Sequence, residues 1–424
     1  MGKTLGNIFK GDKVIWMVFF FLCIISIVEV YSASSQLTYK GGNYIAPILK
    51  HIGLLAVGVF CMIVTLNIPC RVFKMATPFL LLTSIVSLVY LALFGDMVNG
   101  SRRWIDIPLL GLQIQPSEIA KGTLVLATAQ ILSAMQTDQG ADKKAFGYIL
   151  VVCATIIPFI FIENFSTAAL LCAVVFMMML IGRVPVRQLG ALLGVTLIFV
   201  VVFFSAAMAF GTDLSTSDRN DTTHVEATIT PQKESRGGFF HRLDTWKTRI
   251  DKFTSSANNK NQITPADIDL DKDAQVAHAN IAIASSNITG KGPGNSEERD
   301  FLSQAFSDFI YSIIIEEMGI VGAFFVAMLY IILLFRTGRI ASQCENNFPA
   351  FLSMGFALLL VTQALFNMCV AVGLVPVTGQ PLPLISKGGT STIINCVYVG
   401  AILSVSRSAK RRQDDTVRSS SGQA

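Results

Sequence analysis

Long apolar runs broken by short polar intervals dominate the chain. Windows of about 20 apolar residues, enough to cross a bilayer core as a helix, fall at roughly 14–34, 48–67, 75–94, 116–134, 147–163, 166–182, 188–210, 308–335, 349–373 and 386–406. They predict an all-α polytopic membrane protein with ten transmembrane helices. Only "ENFS" (163–166) separates the fifth window from the sixth, which predicts a tight helical hairpin. The interval 211–307 stands apart. Its first part, "GTDLSTSDRNDTTHVEATITPQKESRGG", is polar and of mixed sign, and reads as flexible. "FFHRLDTWKTRIDKF" and "AQVAHANIAIASS" have amphipathic spacing and predict short helices, and "GKGPGNS" (290–296) predicts a turn.

Lys and Arg positions orient the spans. With a cytoplasmic N-terminus, the inner side holds Lys3, Lys10, Lys13, Arg71, Lys74, Lys143, Lys144, Arg183, Arg187, Arg336, Arg339 and the basic tail 407–424. The short outer loops keep Lys40, Arg102, Arg103 and Lys387, with Lys50 at a boundary. Both termini are then cytoplasmic, 211–307 is a large extracytoplasmic loop, and 1–424 is a single membrane domain. The first run follows three lysines and precedes "YSAS", the form of a signal peptide. Nine further spans favour its retention as the first helix.

Composition agrees. Of 424 residues, 52% are hydrophobic and 14% charged, against about 25% charged in a soluble domain. The shortfall is spread along the chain, which excludes a globular enzyme on one anchor. The net charge of +5 sits at helix ends, so it does not point to nucleic acid. Eight cysteines lie in or beside apolar spans, without a CxxC, and read as packing residues. "DIDLDKD" (267–273) fails as a calcium loop, because Lys272 and His278 stand where Gly and Glu are needed. Its Asp-x-Asp is weak evidence for a sugar-transferase metal site. "GKGPGNS" lacks the preceding strand and GK[ST] ending of a phosphate loop.

Glu118, Lys121, Glu316 and Glu317 fall inside spans, where charge is costly and is kept for function or pairing. Glu118 and Lys121, in "QIQPSEIAKG", share a helix face at i and i+3. Glu316 and Glu317, in "AFSDFIYSIIIEEMG", lie two turns beyond Asp308, which is expected to open the eighth helix. An interhelical pair of Lys121 with Glu316 or Glu317 is the structural alternative to a functional role. Arg102, Arg103 and Trp104 cluster on an outer loop, against the positive-inside rule, and suit an anionic ligand such as a lipid phosphate or pyrophosphate. Snorkelling to headgroups is the alternative. Residues 373–389 are dense in Pro and Gly and predict non-helical backbone, tolerated there only if buried or lining a wet cavity. Three outward segments thus converge on one cavity.

"NGSRRWI…QPSEIAK", "GKGPGNS…FSDFIYSIIIEEMG" and "GLVPVTGQPLPLISKGGTS" resemble, in order, the signatures of the SEDS family of peptidoglycan glycosyltransferases, over about residues 14–407. The resemblance implies ten helices and polymerisation of lipid II at the outer face of the cytoplasmic membrane, beside a class B penicillin-binding transpeptidase. Overall likeness leans to the division branch, FtsW, with septal location and divisome partners; a RodA-type elongation role is the alternative. The family's essential acid falls on Asp308, its loop Trp and basic residue on Trp104 and Arg103, its lysine on Lys121, and its Glu pair on Glu316 and Glu317. The expected mechanism is inversion, with Asp308 as base. Arg102, Arg103 and Lys121 meet phosphate or pyrophosphate, and Trp104 borders the substrate. Glu118, Glu316 and Glu317 act in support. No nucleotide is needed, because the donor is already activated. A divalent cation, magnesium or manganese, is a candidate cofactor without a motif. Two departures stand out: Asn164 replaces an Asp in "ENFSTA", and Lys387 replaces an aromatic in "SKGGTS". A lipid II flippase and a non-catalytic scaffold are the competing classes.

Overall fold

The structure, a computed structural model, describes residues 10–33, 46–95, 103–107, 112–210, 270–302 and 305–421. The ten predicted spans coincide with ten helices. These are α1 (Lys13–Ala33), α2 (Ala46–Asn67), α3 (Cys70–Phe94), α4 (Pro116–Ala134), α5 (Lys143–Glu163), α6 (Phe165–Ile181), α7 (Val186–Phe210), α9 (Ile310–Ser342), α10 (Asn347–Ala371) and α11 (Thr390–Ser421). Among the described residues, eight are long and apolar enough to cross a membrane. The other two are α6, apolar but only 17 residues, and α4, which carries Glu118 and Lys121 and is buried along most of its length. The chain is a multi-pass membrane protein.

Between the spans, α8 (Leu270–Ser285) realises the second amphipathic segment. The first, 239–253, lies outside the described residues, as do 211–238. Residues 270–273 of "DIDLDKD" are the start of α8 and not a cation loop. The Arg103–Trp104 segment leads into a hairpin of β1 (Ile105–Ile107) and β2 (Leu112–Ile114), paired Ile105 to Ile114. A second small hairpin, β3 (Gln136–Thr137) with β4 (Gly140–Ala141), joins α4 to α5. The basic tail is no separate segment: its backbone continues α11 as far as Ser421.

α4 and α10 form the centre. α4 packs on α3, α5 and α10; α10 packs also on α6, α9 and α11; α2 lies along α11. Lipid tails are as apolar as leucine, so such helices are held by close contact and hydrogen bonds more than by water exclusion. Small residues make the contacts possible. A Cβ on Gly122 would stand 2.6 Å from a Tyr398 ring carbon, and one on Gly355 would stand 2.6 Å from a Val125 methyl.

Local chemistry fixes the ends. Asn164 closes α5 and opens α6: its Oδ1 accepts from the Thr167 amide at 3.2 Å. The tight hairpin therefore turns on an amide cap, with no need for the acid usual there. At the opposite end of the bundle, Asp12 Oδ1 accepts from the Val14 and Ile15 amides at 2.9 and 3.3 Å, while Oδ2 meets Arg336 at 2.6 Å. Burial alone would raise this carboxyl; the Arg336 bond and the two amides outweigh it and hold its pKa below the usual range. All eight cysteines are free.

Candidate functional site

Asp308 lies in a turn over 305–309, and the helix begins only at Ile310, with Phe309 in the cap position. The expectation that Asp308 opens the helix is corrected by two residues. Asp308 is half-buried and lies one residue before that cap. Oδ1 accepts from Ser307 Oγ at 2.9 Å. Its backbone carbonyl accepts from Asn367 Nδ2 at 2.8 Å, and the same amide donates to the Gln380 carbonyl at 2.7 Å. Gly379, at φ +72°, comes so close that a Cβ there would lie 3.4 Å from Oδ2. The acid is thus pinned between α10 and the Pro/Gly segment.

That segment, 373–389, is non-helical as expected, and Thr378, Gln380, Leu382, Leu384, Ile385 and Ser386 in it are buried. Several of its polar groups are bonded to neighbours, as backbone at membrane depth requires, while Thr378 Oγ1 is buried without a hydrogen-bond partner among the described residues. Gln380 Nε2 donates to Thr167 Oγ1 at 2.7 Å, Gln363 Nε2 to the Pro381 carbonyl at 3.1 Å, and Ser386 Oγ to the Ser307 carbonyl at 2.7 Å.

A cavity of ≈ 660 Å³ opens beside this turn. Lys50, Arg103, Trp104, Glu118, Asn164, Ser307, Gly379 and Lys387 are among its walls. It reaches the two residues that flank the Asp308 carboxylate. Arg103 and Trp104 are where the sequence placed them; Arg102 lies outside the described residues. Lys50 and Lys387 belong to the site although sequence reasoning gave them no role. The signal was present in Lys387 as a cation where an aromatic is common.

Lys121 is 1% exposed and is absent from the cavity wall. Its ammonium bonds Glu118 Oε1 at 2.9 Å and Gln363 Oε1 at 3.0 Å. The alternative pairing with Glu316 or Glu317 is not formed. A partner one helical turn away on the same face reaches Lys121 first. Lys121 links Glu118, on the cavity wall, to the Pro/Gly segment through Gln363 and the Pro381 carbonyl.

Glu316 and Glu317 are fully buried and serve another purpose. α9 breaks at Gly319 (φ +69°, ψ −174°), which frees the carbonyls before it. The glycine turn fills that break: the Lys291 and Gly292 amides donate to the Glu316 and Glu317 carbonyls at 2.9 and 2.8 Å. It also wraps the carboxylates. Glu316 Oε1 takes Lys291 Nζ at 2.7 Å and the Glu297 amide at 3.1 Å, and Oε2 takes the Ser296 hydroxyl. Glu317 takes the Gly294 amide at 2.9 Å and the hydroxyl of Ser32 in α1. Lys291, outside the membrane segments, has its pKa raised by its bond to Glu316. "GKGPGNS" is therefore an anion cradle after all, and the anions are the protein's own.

Glu118 Oε2 is buried without a hydrogen-bond partner. One such oxygen is not a metal site. Among the described residues no group of three or more His, Cys, Asp or Glu side chains comes together as ligands. A magnesium or manganese ion lacks a protein donor set there, and Lys50, Arg103 and Lys387 are cations on the cavity wall.

An all-helical membrane bundle with an acid held beside a cation-lined cavity defines the class. The chain belongs to the FtsW/RodA/SpoVE family of cell cycle proteins, whose model it matches over residues 12–411. It is 30% identical over 401 residues to the probable peptidoglycan glycosyltransferase FtsW of Halomonas elongata, covering 92% of this chain and 90% of that protein. It is 25% identical over 405 residues to the peptidoglycan glycosyltransferase MrdB of Escherichia coli K12, covering 95% of each. Its fold is that of Thermus thermophilus rod shape determining protein RodA (TM-score 0.61, 20% identity, 95% of this chain and 98% of that one). A chain from a peptidoglycan synthase complex is also similar (TM-score 0.66, 21% identity, 94% and 98%).

Proposed function

We propose that this protein is an inverting peptidoglycan glycosyltransferase that polymerises lipid II into β-1,4 glycan strands. The observation that carries this reading is the Asp308 carboxylate, fixed at the edge of a large cavity that is rich in cations. In the reaction, the acceptor's 4-hydroxyl oxygen attacks C1 of the α-linked donor sugar. Its proton passes to Asp308. The C1–O bond to phosphate breaks, and its electron pair leaves on undecaprenyl pyrophosphate. The cavity cations stabilise the charge that develops there. The donor supplies its own driving force, so no nucleotide is required. A flippase would need no base beside the cavity. Incubation of the purified protein with lipid II, alone and with a class B penicillin-binding transpeptidase, tests the proposal: glycan strands are expected, and their absence in both cases would sink it.

The reading places the cavity at the outer face of the cytoplasmic membrane, with both termini inside and 211–307 outside. Cysteines introduced at Ser217 or Asn258, both outside the described residues, should be labelled from outside intact cells in a version otherwise lacking reactive thiols. Labelling only after permeabilisation would reverse the topology. Likeness to FtsW favours a septal role with divisome partners. Depletion should then give filaments with unconstricted septa, whereas round cells with normal septation would assign the protein to elongation.

A further inference from the structure

Glu29 is a buried acid that glycosyl transfer does not use. It is fully buried in α1, and neither carboxyl oxygen has a hydrogen-bond partner among the described residues. Glu317 of α9 acts on it electrostatically. α1 packs on α2, α9 and the 298–300 turn. Toward its outer end, α2 brings Lys50 and His51, and α9 brings Glu316 and Glu317. The turn brings Glu298, Arg299 and Asp300. Lys50 lies on the cavity wall. His51 is bonded to Ser26, Glu298 to His278, Glu316 to Lys291, and Glu317 to Ser32 and the Gly294 amide. Arg299 differs. Its Nη1 donates to Ser32 Oγ at 2.9 Å and to the Gly294 carbonyl at 2.6 Å, and Asp300 Oδ1 stands 3.9 Å from its Nε. That Nε is buried without a hydrogen-bond partner among the described residues. Ser32 follows Glu29 at i+3, on the same helix face. A carboxyl without donors and a guanidinium nitrogen without an acceptor thus flank one serine.

An ionised carboxylate that is buried, unbonded and beside a second carboxylate is costly. Glu29 is therefore held as the neutral acid. Loss of its proton changes two balances at once. The new charge repels Glu317, and it offers Arg299 a stronger acceptor than the neutral Gly294 carbonyl. We infer that Glu29 and Arg299 form a proton-sensitive latch between α1 and the glycine turn. The latch is closed while Glu29 is neutral, and it opens when Glu29 ionises and draws Arg299 off Gly294. The turn fills the break in α9 at Gly319. Its release frees the half-helix 310–318, which follows the Asp308 turn directly, so the latch couples pH to the element behind the acid.

The test reads backbone protection and needs no turnover. Hydrogen exchange of the amides in 290–299 is followed by mass spectrometry on the full-length purified protein in detergent. Buried carboxylic acids keep their proton as far as about pH 8–9, so the series runs from about pH 5 to about pH 9.5, with each rate corrected for intrinsic exchange. Protection of the turn should fall at least about tenfold across the series in the wild type. Glu29→Gln keeps the shape of the neutral acid and should stay protected throughout. His278 and Glu298 are present in both proteins, so the difference between them isolates Glu29. Arg299→Gln should expose the turn at every pH. Thermal unfolding gives a second reading. The native chain holds a proton on Glu29 that the unfolded chain sheds above about pH 4.3. Wild-type stability should therefore fall, relative to Glu29→Gln, as pH rises from there, and level off once native Glu29 ionises. Matching exchange profiles in the wild type and Glu29→Gln would overturn the inference. So would an Arg299→Gln turn that stays protected at low pH, since Arg299 would then not be holding it.

Discussion

Asp308→Asn should abolish polymerisation of lipid II while the protein inserts, folds and binds its transpeptidase. The substitution keeps size and shape. The Asn367 bond to the backbone carbonyl and the approach of Gly379 are untouched. What is lost is the proton acceptor, a change that typically costs about 10²–10⁴-fold. Ser307 donates its hydroxyl to this carboxylate, but an alcohol is no base at neutral pH. Overproduced beside the wild type, the variant should be dominant negative, because it occupies the partner unproductively. Asp308→Glu asks a finer question. The added methylene moves the carboxylate by about 1 Å, and misplacement of that size can cost about 10²-fold. Gly379 lies against that side of the group, so the longer side chain has little room to retreat. Measured initial rates with lipid II decide both. Near-wild-type polymerisation by Asp308→Asn would remove Asp308 from the chemistry.

The spans were legible because each property needed to see them is local. Length and hydropathy mark a helix in lipid without knowledge of its neighbours. Even α4, which carries Glu118 and Lys121, was marked by its apolar window, and Pro116 suited its first turn. The ends were less legible. α9 runs on to Ser342 and α11 to Ser421 because helical backbone does not stop where the apolar stretch does. The convergence of the 103–104 segment, the 305–309 turn and 373–389 could be inferred from the placement of polar residues. The partners of the charges could not. Lys121 had three carboxylates to choose from, and the choice depends on helix rotation and depth. The glycine turn offered no clue that it folds into the break at Gly319, since φ at that residue is set by the tertiary contact. Lys50 and Lys387 looked like ordinary loop cations until the fold set them facing one cavity.

Replacing Lys121 should do more damage than its distance from the substrate suggests. It is buried, and its loss leaves Glu118 with no cation beside either oxygen. Breaking such a pair from one side costs about 3–5 kcal/mol. It also frees Gln363, whose amide holds Pro381 in the segment that carries Gly379 against Asp308. Lys121→Ala should therefore lower the unfolding free energy in detergent by about that amount. It should cut polymerisation by about 10²-fold, through a misplaced acid more than through lost substrate contact. The two effects can be separated. Lys121→Met with Glu118→Gln removes both charges and leaves no unpaired carboxylate, so stability should largely return while activity stays low. In a double-mutant cycle the Lys121–Glu118 coupling should reach about 0.5–3 kcal/mol, whereas Lys121 with Glu316→Gln or Glu317→Gln should be additive within about 0.5 kcal/mol. The glutamates are already satisfied by Lys291, Ser296 and the loop amides, so they have nothing to exchange with Lys121. Strong coupling to either glutamate, or full activity in Lys121→Ala, would show that the positioning chain from Lys121 to Asp308 does not operate.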